Sequence, residues 1–179
     1  MSLQRLRADV AARQPLDERE RTSIERFLAE LDRLGDPLSQ EADPIHVTGS
    51  AIVVGPRGVL LLKHRRLGIW LQPGGHVDAG EMPWEASLRE AREETGLDVA
   101  FAGPLDADGV PLLIHVDVHA GGRGHTHLDT RYLLDGGDAD PNPPEHESQE
   151  IAWFDWDDAI SMADDGVRSI LQHLAPTRI

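Results

Sequence analysis

The sequence contains no cysteine. This absence excludes disulfide bonds, metal sites with thiolate ligands and catalysis by a cysteine nucleophile, and it makes a cytoplasmic location the default expectation. Long apolar segments are missing as well, because no run of about 18 apolar residues occurs in the chain, so we expect no membrane-spanning helix. The opening residues, MSLQRLRADVAARQ, lack the apolar core of a signal peptide.

Positive charge is scarce, because 17 Lys and Arg residues stand against 32 Asp and Glu residues and give a formal net charge of −15. An acidic surface repels the phosphates of polynucleotides, so we do not expect nonspecific binding of nucleic acid. The same charge favours solubility in a protein of any function. A chain of 179 residues is long enough for one domain with an appended segment.

An acidic helix is predicted within residues 75–97, which read GHVDAGEMPWEASLREAREETGL. The residue types from Pro83 to Thr95 favour a helix, and proline suits its first turn. At about 100° per residue, Glu90, Glu93 and Glu94 fall within roughly a third of a turn, away from a mostly apolar arc. One side of this helix would therefore pack while another carries three carboxylates.

The position of these carboxylates opposes helix stability. Like charges four residues apart destabilise a helix by about 0.2–0.5 kcal/mol per pair, and acids interact unfavourably with the negative C-terminal end of the helix dipole. A hard cation such as Mg²⁺, which takes oxygen ligands and bridges to phosphates, would neutralise the cluster. The alternative is a solvated helix face rich in glutamate.

The fixed spacing in this run resembles the Nudix box, G-x5-E-x7-R-E-U-x-E-E-x-G-U, where U is a bulky aliphatic residue. The matching residues are Gly75, Glu81, Arg89, Glu90, Glu93, Glu94, Gly96 and Leu97. Ala91 occupies the first aliphatic position and is smaller than usual. The chain thus resembles Nudix hydrolases over its box, and the hydrophobic strand before the box and the WFDW segment after it also fit.

The resemblance implies an α+β fold, an α/β/α sandwich in which a mixed β-sheet lies between helices. It also implies cleavage of the diphosphate of a nucleoside diphosphate derivative with Mg²⁺ or Mn²⁺. By position, Glu90, Glu93, Glu94 and the carbonyl of Gly74 resemble the metal ligands. Arg89 resembles the arginine that orients a box glutamate, and Glu81 resembles a structural acid or an outer metal contact.

The sequence predicts the type of reaction but leaves several classes of substrate open. The segments HVTGSA, WLQPGGHVDAGE and HLDTRYLL resemble those of family members that act on nucleotide sugars. Nucleoside triphosphates and dinucleotides remain open as substrates, and so does a regulatory module that binds a nucleotide without cleaving it. The related isopentenyl diphosphate isomerases use a catalytic cysteine, which this chain lacks.

Residues 1–44 are predicted to form an N-terminal helical extension with a linker, and residues 45–179 to form the Nudix domain. Leu3, Leu6 and Val10 recur at helical spacing before Pro15. Asp17 with Glu20 suggests a capping box for a second helix whose apolar stripe stops at Gly35. The extension would either cover the sheet or form the interface of a homodimer.

Strands are expected at 45–54, at 59–64 after a GPRG turn, at 97–103, 112–119, 125–134 and 151–154. Asp155 would cap a helix, and a last helix is expected near 164–174.

Two of these strands carry polar residues at alternate positions, namely His115, Asp117 and His119 in one and His125, His127, Asp129 and Arg131 in the other. Three interpretations are open. The residues line the substrate pocket, with His127, Asp129 and Arg131 binding substrate; they form a solvated strand face; or they bind a separate Zn²⁺ ion. A one-residue slip in register would separate the two sets.

Further candidates lie outside the box. Arg65 or Arg66, in a basic cluster, suits phosphate recognition, and Trp70 could stack on a base or sugar, although packing is the commoner role for such a ring. A loop with three prolines carries Glu145 and Glu147 and leads to Glu150. Glu147 or Glu150 is a candidate general base beside Glu90, and the loop is long enough for a mobile lid.

Overall fold

A computed structural model describes residues 2–175, apart from the side chain of Arg123, so that residues 176–179 of the predicted domain lie outside it. Within this part the chain forms α1 (Leu3–Ala12), α2 (Glu18–Arg33), β1 (Ile45–Gly55), β2 (Gly58–Lys63), β3 (Trp70–Leu71), β4 (Gly74–His76), α3 (Pro83–Thr95), β5 (Ala100–Phe101), β6 (Leu113–Ala120), β7 (Thr126–Asp135), β8 (Ile151–Phe154), α4 (Trp156–Met162) and α5 (Asp165–Leu174). None of the described helices has the length and apolarity that crossing a bilayer requires.

The sheet is mixed, as predicted, and β1 is its central strand. Along one edge β1 pairs in parallel with β7, and along the other it pairs antiparallel with β4 and β2 in turn. The β1–β2 hairpin closes at Gly55 opposite Gly58, which confirms the predicted GPRG turn. The free edge of β7 is shared by β6 and β5.

The strand expected over 97–103 is shorter in the structure. Only Ala100 and Phe101 pair with β7, so the prediction was too long. The reason is packing, because Leu97 and Val99 are buried in the apolar cluster that contains Ala91 of α3 and make no pairs in the sheet.

Helices cover both faces of the sheet, which confirms the α/β/α sandwich. On β1, Ala51 and Val53 pack with Ala91 of α3, whereas Ile52 and Val54 pack with α4 and α5. This alternation follows from the two-residue period of a strand. The face of β1 that carries Ile52 also carries polar residues nearer its start, and α5 covers the apolar part of that face.

The N-terminal helices cover the sheet. Asp17 caps α2 by accepting a hydrogen bond from the backbone N–H of Glu20, as predicted. The reciprocal half of the capping box was wrong, because the Glu20 carboxylate instead accepts from the N–H groups of Leu16 and Val116. The hydroxyl of Ser23 accepts from Val118, so two outward N–H groups of β6 are satisfied by a helix. A homodimer stays a prediction.

The extension shares a core with the rest of the chain. Leu6, Val10 and Phe27 lie in one apolar cluster with Val116 and Leu128 of the sheet. The described part of the extension, residues 2–44, therefore contributes to the same packed body, and the predicted boundary at residue 45 stays a prediction. Helix α2 ends at Arg33, slightly before the Gly35 expected from the apolar stripe.

The close approach of α3 to β1 gives a stability test. A Cβ added to Gly49 would lie 2.0 Å from the carbonyl oxygen of Pro83, which is backbone and cannot rotate away. We expect Gly49→Ala to lower the free energy of unfolding by about 1–3 kcal/mol or more, as overpacking does. Urea unfolding measures the effect. Gly35→Ala is the matched control, since nothing lies within 4 Å of its added Cβ, and equal stability of the two variants would contradict the packing described.

Candidate active site

The box helix has the ends that its sequence predicts. Pro83 occupies its first turn, the Glu85 carboxylate accepts a hydrogen bond from the N–H of Met82 at 2.8 Å, and Gly96 ends the helix in a left-handed conformation with φ of 68°. Trp84, Ala91 and other apolar residues of α3 are buried. This packing leaves the acidic side of the helix facing the loop that precedes it.

The guanidinium group of Arg89 holds the acidic residues of the box together. It makes a bidentate contact with Glu81 at 2.9 and 3.0 Å, and it also donates to Glu90 at 2.9 Å and to Glu93 at 3.0 Å. A further bond of 2.9 Å reaches the carbonyl of His76 in β4. Hydrogen bonds to Glu81 chiefly raise the pKa of Arg89 above its ordinary value. Arg89 therefore fixes α3 to the start of the box and sets the directions of two carboxylates.

The carboxylate of Glu94 accepts a hydrogen bond of 2.8 Å from the N–H of Gly74. Desolvation by the surrounding protein raises the pKa of Glu94 to about 8, and the nearby charges of Glu90, Glu147 and Glu93 add to the effect. Desolvation likewise raises the pKa of Glu90. Two carboxylates of the box thus lack sufficient compensation for their negative charge.

The glycines before the helix allow this arrangement. A Cβ on Gly75 would lie 2.4 Å from Oε1 of Glu90, and a Cβ on Gly74 would lie 2.2 Å from the hydroxyl of Ser50. The backbone of β4 can therefore lie directly against the Glu90 carboxylate and the β1 strand. Carboxylate and carbonyl oxygens gathered here are the donors that a hard divalent cation prefers.

A cleft of about 490 Å³ lies beside the box, and Gly74, Gly75 and Glu94 line one of its walls. Its floor is the polar face of the sheet. Rows of paired residues cross β6, β7 and β1 in that order: His115, Arg131 and Ser50; Asp117, Asp129 and Thr48; His119, His127 and His46. The two polar sets predicted on β6 and β7 thus lie opposite each other in this register.

Most of this floor is buried and internally bonded. Asp129 accepts hydrogen bonds from the hydroxyls of Thr48 at 2.9 Å and Ser50 at 2.8 Å, and from Arg131 at 3.1 Å. Arg131 also bonds to His115 at 3.0 Å. The solvated-face interpretation was wrong for the inner residues, since His115, Asp117, Asp129 and Arg131 are at most 2% exposed. Asp117, Asp129, Arg131 and His127 line the cleft.

Sequence reasoning missed three residues of this network. Thr48 and Ser50 alternate with His46 in HVTGSA, and this two-residue period could have identified a polar face on β1. Arg19 of α2 reaches Asp117 at 2.7 and 3.1 Å from 98 positions away in the chain, and no local pattern signals that contact.

The proline-rich loop brings Glu147 near the box, where its charge contributes to the raised pKa values of Glu90 and Glu94. Glu150 instead pairs with Lys63 at 2.7 Å, and Glu145 offers its carbonyl to Arg65 at 3.3 Å. Arg65 also donates to the carbonyl of Glu147 and so holds the loop.

The other predicted substrate-binding residues, Arg65, Arg66 and Trp70, do not form one group. Arg66 lines the cleft, whereas Arg65 lies outside the residues that line it. Trp70 packs edge-on against Phe154, with ring centroids 4.8 Å apart. Packing accounts for this ring, and its stacking role stays a prediction. A second depression of about 510 Å³ lies between α1 and residues 104–113, away from the box, and its Arg5 is paired with Asp9 and Asp106.

Comparison with known proteins identifies relatives of this fold. A family model of the NUDIX domain matches residues 44–174. An asymmetrical bis(5′-nucleosyl)-tetraphosphatase of Caenorhabditis elegans is 31% identical over 99 residues, which are 53% of this chain and 64% of that protein. An RNA pyrophosphohydrolase of Agrobacterium fabrum is 30% identical over 97 residues, 49% of this chain and 56% of that protein. The matched segment thus spans less than two thirds of either relative.

Solved structures show the same architecture. The crystal structure of a NUDIX-family hydrolase from Clostridium perfringens is 29% identical, with a TM-score of 0.61, and covers 74% of this chain and 95% of that one. A binary complex of the C. elegans Ap4A hydrolase is 22% identical, with a TM-score of 0.58, covering 73% and 96%. The second likeness concerns the fold alone.

The buried histidine of the cleft floor gives a pH test. Burial, followed by the charge of Arg131, lowers the pKa of His115 to about 2 from 6.5. Below pH 6.5 His115 becomes protonated in the unfolded chain but stays neutral in the folded protein. The free energy of unfolding therefore falls as the pH drops. We expect His115→Asn to lose less stability than the wild type between about pH 7.5 and 5, measured by urea unfolding. His173→Asn, at an exposed position on α5, is the control. Identical pH slopes for the two variants would refute a neutral buried His115.

Proposed function

The chain belongs to the Nudix family, and from this premise we propose that it is a pyrophosphohydrolase that cleaves the diphosphate of a nucleoside diphosphate derivative with Mg²⁺ or Mn²⁺. The observation that carries the proposal is the placement of the Glu90 and Glu94 carboxylates against the backbone of Gly75 and Gly74 at the wall of a cleft, where a divalent cation and a phosphate would share their negative charge.

The residues present fit the metal. Glu90, Glu93, Glu94 and the carbonyl of Gly74 would hold it, because they offer hard oxygen donors around two carboxylates whose raised pKa values favour a cationic partner. When bound, such an ion supplies charge neutralisation at the phosphate oxygens and favours ionisation of water. Arg89 would position Glu90 and Glu93 through its bonds of 2.9 and 3.0 Å, and the N–H of Gly74 would position Glu94.

We assign the general base to Glu147. Its side chain is partly exposed and its charge reaches both Glu90 and Glu94, so it can take a proton from a water that attacks the diphosphate there. Glu150 is less suited, because its carboxylate is paired with Lys63. Since Arg65 binds the carbonyls of Glu145 and Glu147, we assign it the role of holding this loop.

The cleft supports a small substrate. A volume of about 490 Å³ is within the range of small-molecule sites, and Arg66 at its lining can contact phosphate. We assign Asp129 and Arg131 to the binding of the substrate's polar groups from the floor. A nucleotide sugar is the first candidate, because its hydroxyls would meet carboxylate and imidazole groups along this face.

Dinucleoside tetraphosphates form a second candidate class. The C. elegans relative, 31% identical, is named for that substrate, and the box of this chain contains every charged residue of the family pattern. A regulatory module that binds a nucleotide without cleaving it is the third possibility.

A substrate panel tests the activity. The full chain with Mg²⁺ or Mn²⁺ is offered nucleotide sugars, dinucleoside polyphosphates, nucleoside triphosphates and a short 5′-triphosphorylated RNA, and phosphorus NMR identifies the products. We expect turnover of at least one nucleoside diphosphate derivative, with cleavage at the phosphoanhydride. Binding without any product would favour the regulatory module, and neither binding nor turnover by folded protein would refute the proposal.

Box variants test the metal-ligand assignment. Glu93→Gln and Glu94→Gln each remove a negative charge while keeping the side-chain shape, so kcat should fall by orders of magnitude and higher Mg²⁺ should restore part of it. Glu41→Gln, at an exposed site outside the box, should retain full activity. Unchanged kcat in either box variant would exclude that residue as a ligand.

The two loop glutamates give a matched pair for the general base. Glu147→Gln should lower kcat by about 10²-fold or more with little change in KM, because only proton transfer is lost. Glu150→Gln should change kcat far less, since its partner is Lys63. A larger loss in Glu150→Gln would reverse the assignment.

A further inference from the structure

Five histidine side chains gather at one end of the cleft. The ring of His46 lies 5.1 Å from that of His76, 5.1 Å from that of His125 and 5.3 Å from that of His127. The rings of His76 and His119 each lie 5.4 Å from that of His127. The strand register explains the grouping, because His46 pairs with His127 across β1 and β7 while His76 lies opposite Thr48. The catalytic proposal uses none of these rings apart from the predicted substrate role of His127.

The environment of His46 shows that one of its nitrogens lacks a partner. The side chain is fully buried, and Nδ1 lies 3.2 Å from the carbonyl oxygen of Asp43, to which it must donate because a carbonyl only accepts. Nε2 is therefore the unprotonated nitrogen, and it is buried without a hydrogen-bond partner among the described residues. Leaving such an atom unsatisfied costs about 1–3 kcal/mol. In metal sites, a histidine that binds the ion through one ring nitrogen commonly donates a hydrogen bond from the other nitrogen to a backbone carbonyl, as Nδ1 of His46 does here.

The geometry of three of these residues fits a coordination site. One nitrogen each of His46, His76 and His127 lies within 4.8 Å of the others. Three nitrogens bound to Zn²⁺ at about 2.0–2.1 Å in tetrahedral geometry stand about 3.4 Å apart. Small rotations of the three side chains would therefore bring their nitrogens from within 4.8 Å of one another to the spacing of a bound ion.

We propose that His46, His76 and His127 bind a divalent transition-metal ion of the Zn²⁺ class at a site separate from the box carboxylates. Imidazole nitrogens select such ions, whereas Mg²⁺ takes oxygen ligands. The fourth position goes to water or to His125, whose ring is 5.1 Å from that of His46. His127 then acts as a metal ligand instead of the direct substrate contact that its sequence position predicts.

The ionisation of the cluster agrees with this role. Burial lowers the pKa of His46, and burial lowers the pKa of His127 to about 3. Both are thus neutral near pH 7, which is the form that binds a metal. The carboxyl group of Asp43 acts on His46 and that of Asp78 on His76 through their negative charge, and Asp117 contacts His119 at 3.1 Å.

The ion would clamp the beginning of the box. Strand β4 is only three residues long, yet its Gly74 binds Glu94 and the carbonyl of its His76 binds Arg89. Coordination of His76 together with His46 and His127 would tie β4 to β1 and β7. We therefore assign the ion a structural role, and its binding does not depend on which phosphoanhydride is cleaved.

Metal titration tests the site directly. The full chain, prepared without a histidine tag and stripped with EDTA, is titrated with Zn²⁺ in excess Mg²⁺, and bound zinc is counted by mass spectrometry after gel filtration. We expect one equivalent of zinc that Mg²⁺ does not displace, and a tetrahedral visible spectrum when Co²⁺ is substituted. No retained zinc, or zinc displaced by Mg²⁺, would overturn the proposal.

Variants locate the ion. His76→Gln and His127→Gln change half-buried residues and should each weaken Zn²⁺ binding by about tenfold or more, since even outer partners of metal ligands act on that scale. His173→Gln on the exposed side of α5 is the matched control, and Glu94→Gln should keep its zinc although it loses activity. Zinc lost from Glu94→Gln but retained in both histidine variants would place the ion in the box and refute the site.

A separate measurement covers the case of a misfolded variant. Zn²⁺ should raise the Tm of the wild type and of His173→Gln, but not that of His76→Gln, with circular dichroism in EDTA reporting the fold. In the wild type, nitrogen-15 NMR should show Zn²⁺-induced shifts at three histidine rings. Shifts confined to His173 or to His64 would contradict the assignment. Because these readouts need no substrate, failure of zinc binding and failure of the proposed hydrolysis are independent results.

Discussion

The pairing of β1 with its neighbours is the constraint on which the rest of the structure depends. The parallel register with β7 places Thr48 beside Asp129 and Ser50 beside Arg131, and the antiparallel register with β4 places Ser50 beside Gly74. A shift of one residue would turn the polar face toward α3 and send Val53 into the cleft. The cleft floor, the glycine turn of the box and the histidine cluster all follow from this one alignment.

Charge sets the second constraint. The acidic side of α3 meets a single guanidinium, that of Arg89, which contacts Glu81, Glu90 and Glu93 but not Glu94 in the described chain. At the floor of the cleft, by contrast, the negative charge is compensated, because Arg131 and Arg19 form ion pairs with Asp117. Desolvation therefore raises the pKa values of Glu90 and Glu94, while the pKa of Asp117 falls below its ordinary value despite burial, through hydrogen bonds to His119 and Arg19. Of these two walls of the cleft, the box is therefore the one where buried negative charge is less compensated.

The sequence predicted those parts of the molecule that local rules determine. The helix from Pro83 to Thr95, the hairpin at Gly55 and the cap at Asp17 each follow from residue type at short spacing, and the structure confirms them. The mixed sheet and its helices followed from the family resemblance.

Contacts between distant segments could not be predicted in the same way. Glu20 was expected to complete a local capping box, yet it binds the N–H of Val116, 96 positions away. The register of β6 and β7 depends on an irregularity between Leu113 and His115, which no single-strand pattern reveals. His76 occupies a variable position of the box pattern, and its neighbours His46 and His127 come from other strands, so no local pattern brings the three together.

The polar face of the sheet has a part whose hydrogen bonds the protein completes and parts where a buried polar atom lacks a partner. Asp129 and Arg131 are almost fully buried and make several hydrogen bonds within the protein, so these two side chains are held in place before any substrate reaches the cleft. Nε2 of His46 and Oε1 of Gln72, which lines the cleft, are buried without a partner in the described part of the chain. Leaving a buried polar atom without a partner costs about 1–3 kcal/mol, so each such atom is a candidate position for a bound group. The polar face therefore has a centre whose side chains the protein itself holds in place. On the assignments proposed above, cations and substrate would complete the bonding at its two flanks, the box and the histidine cluster.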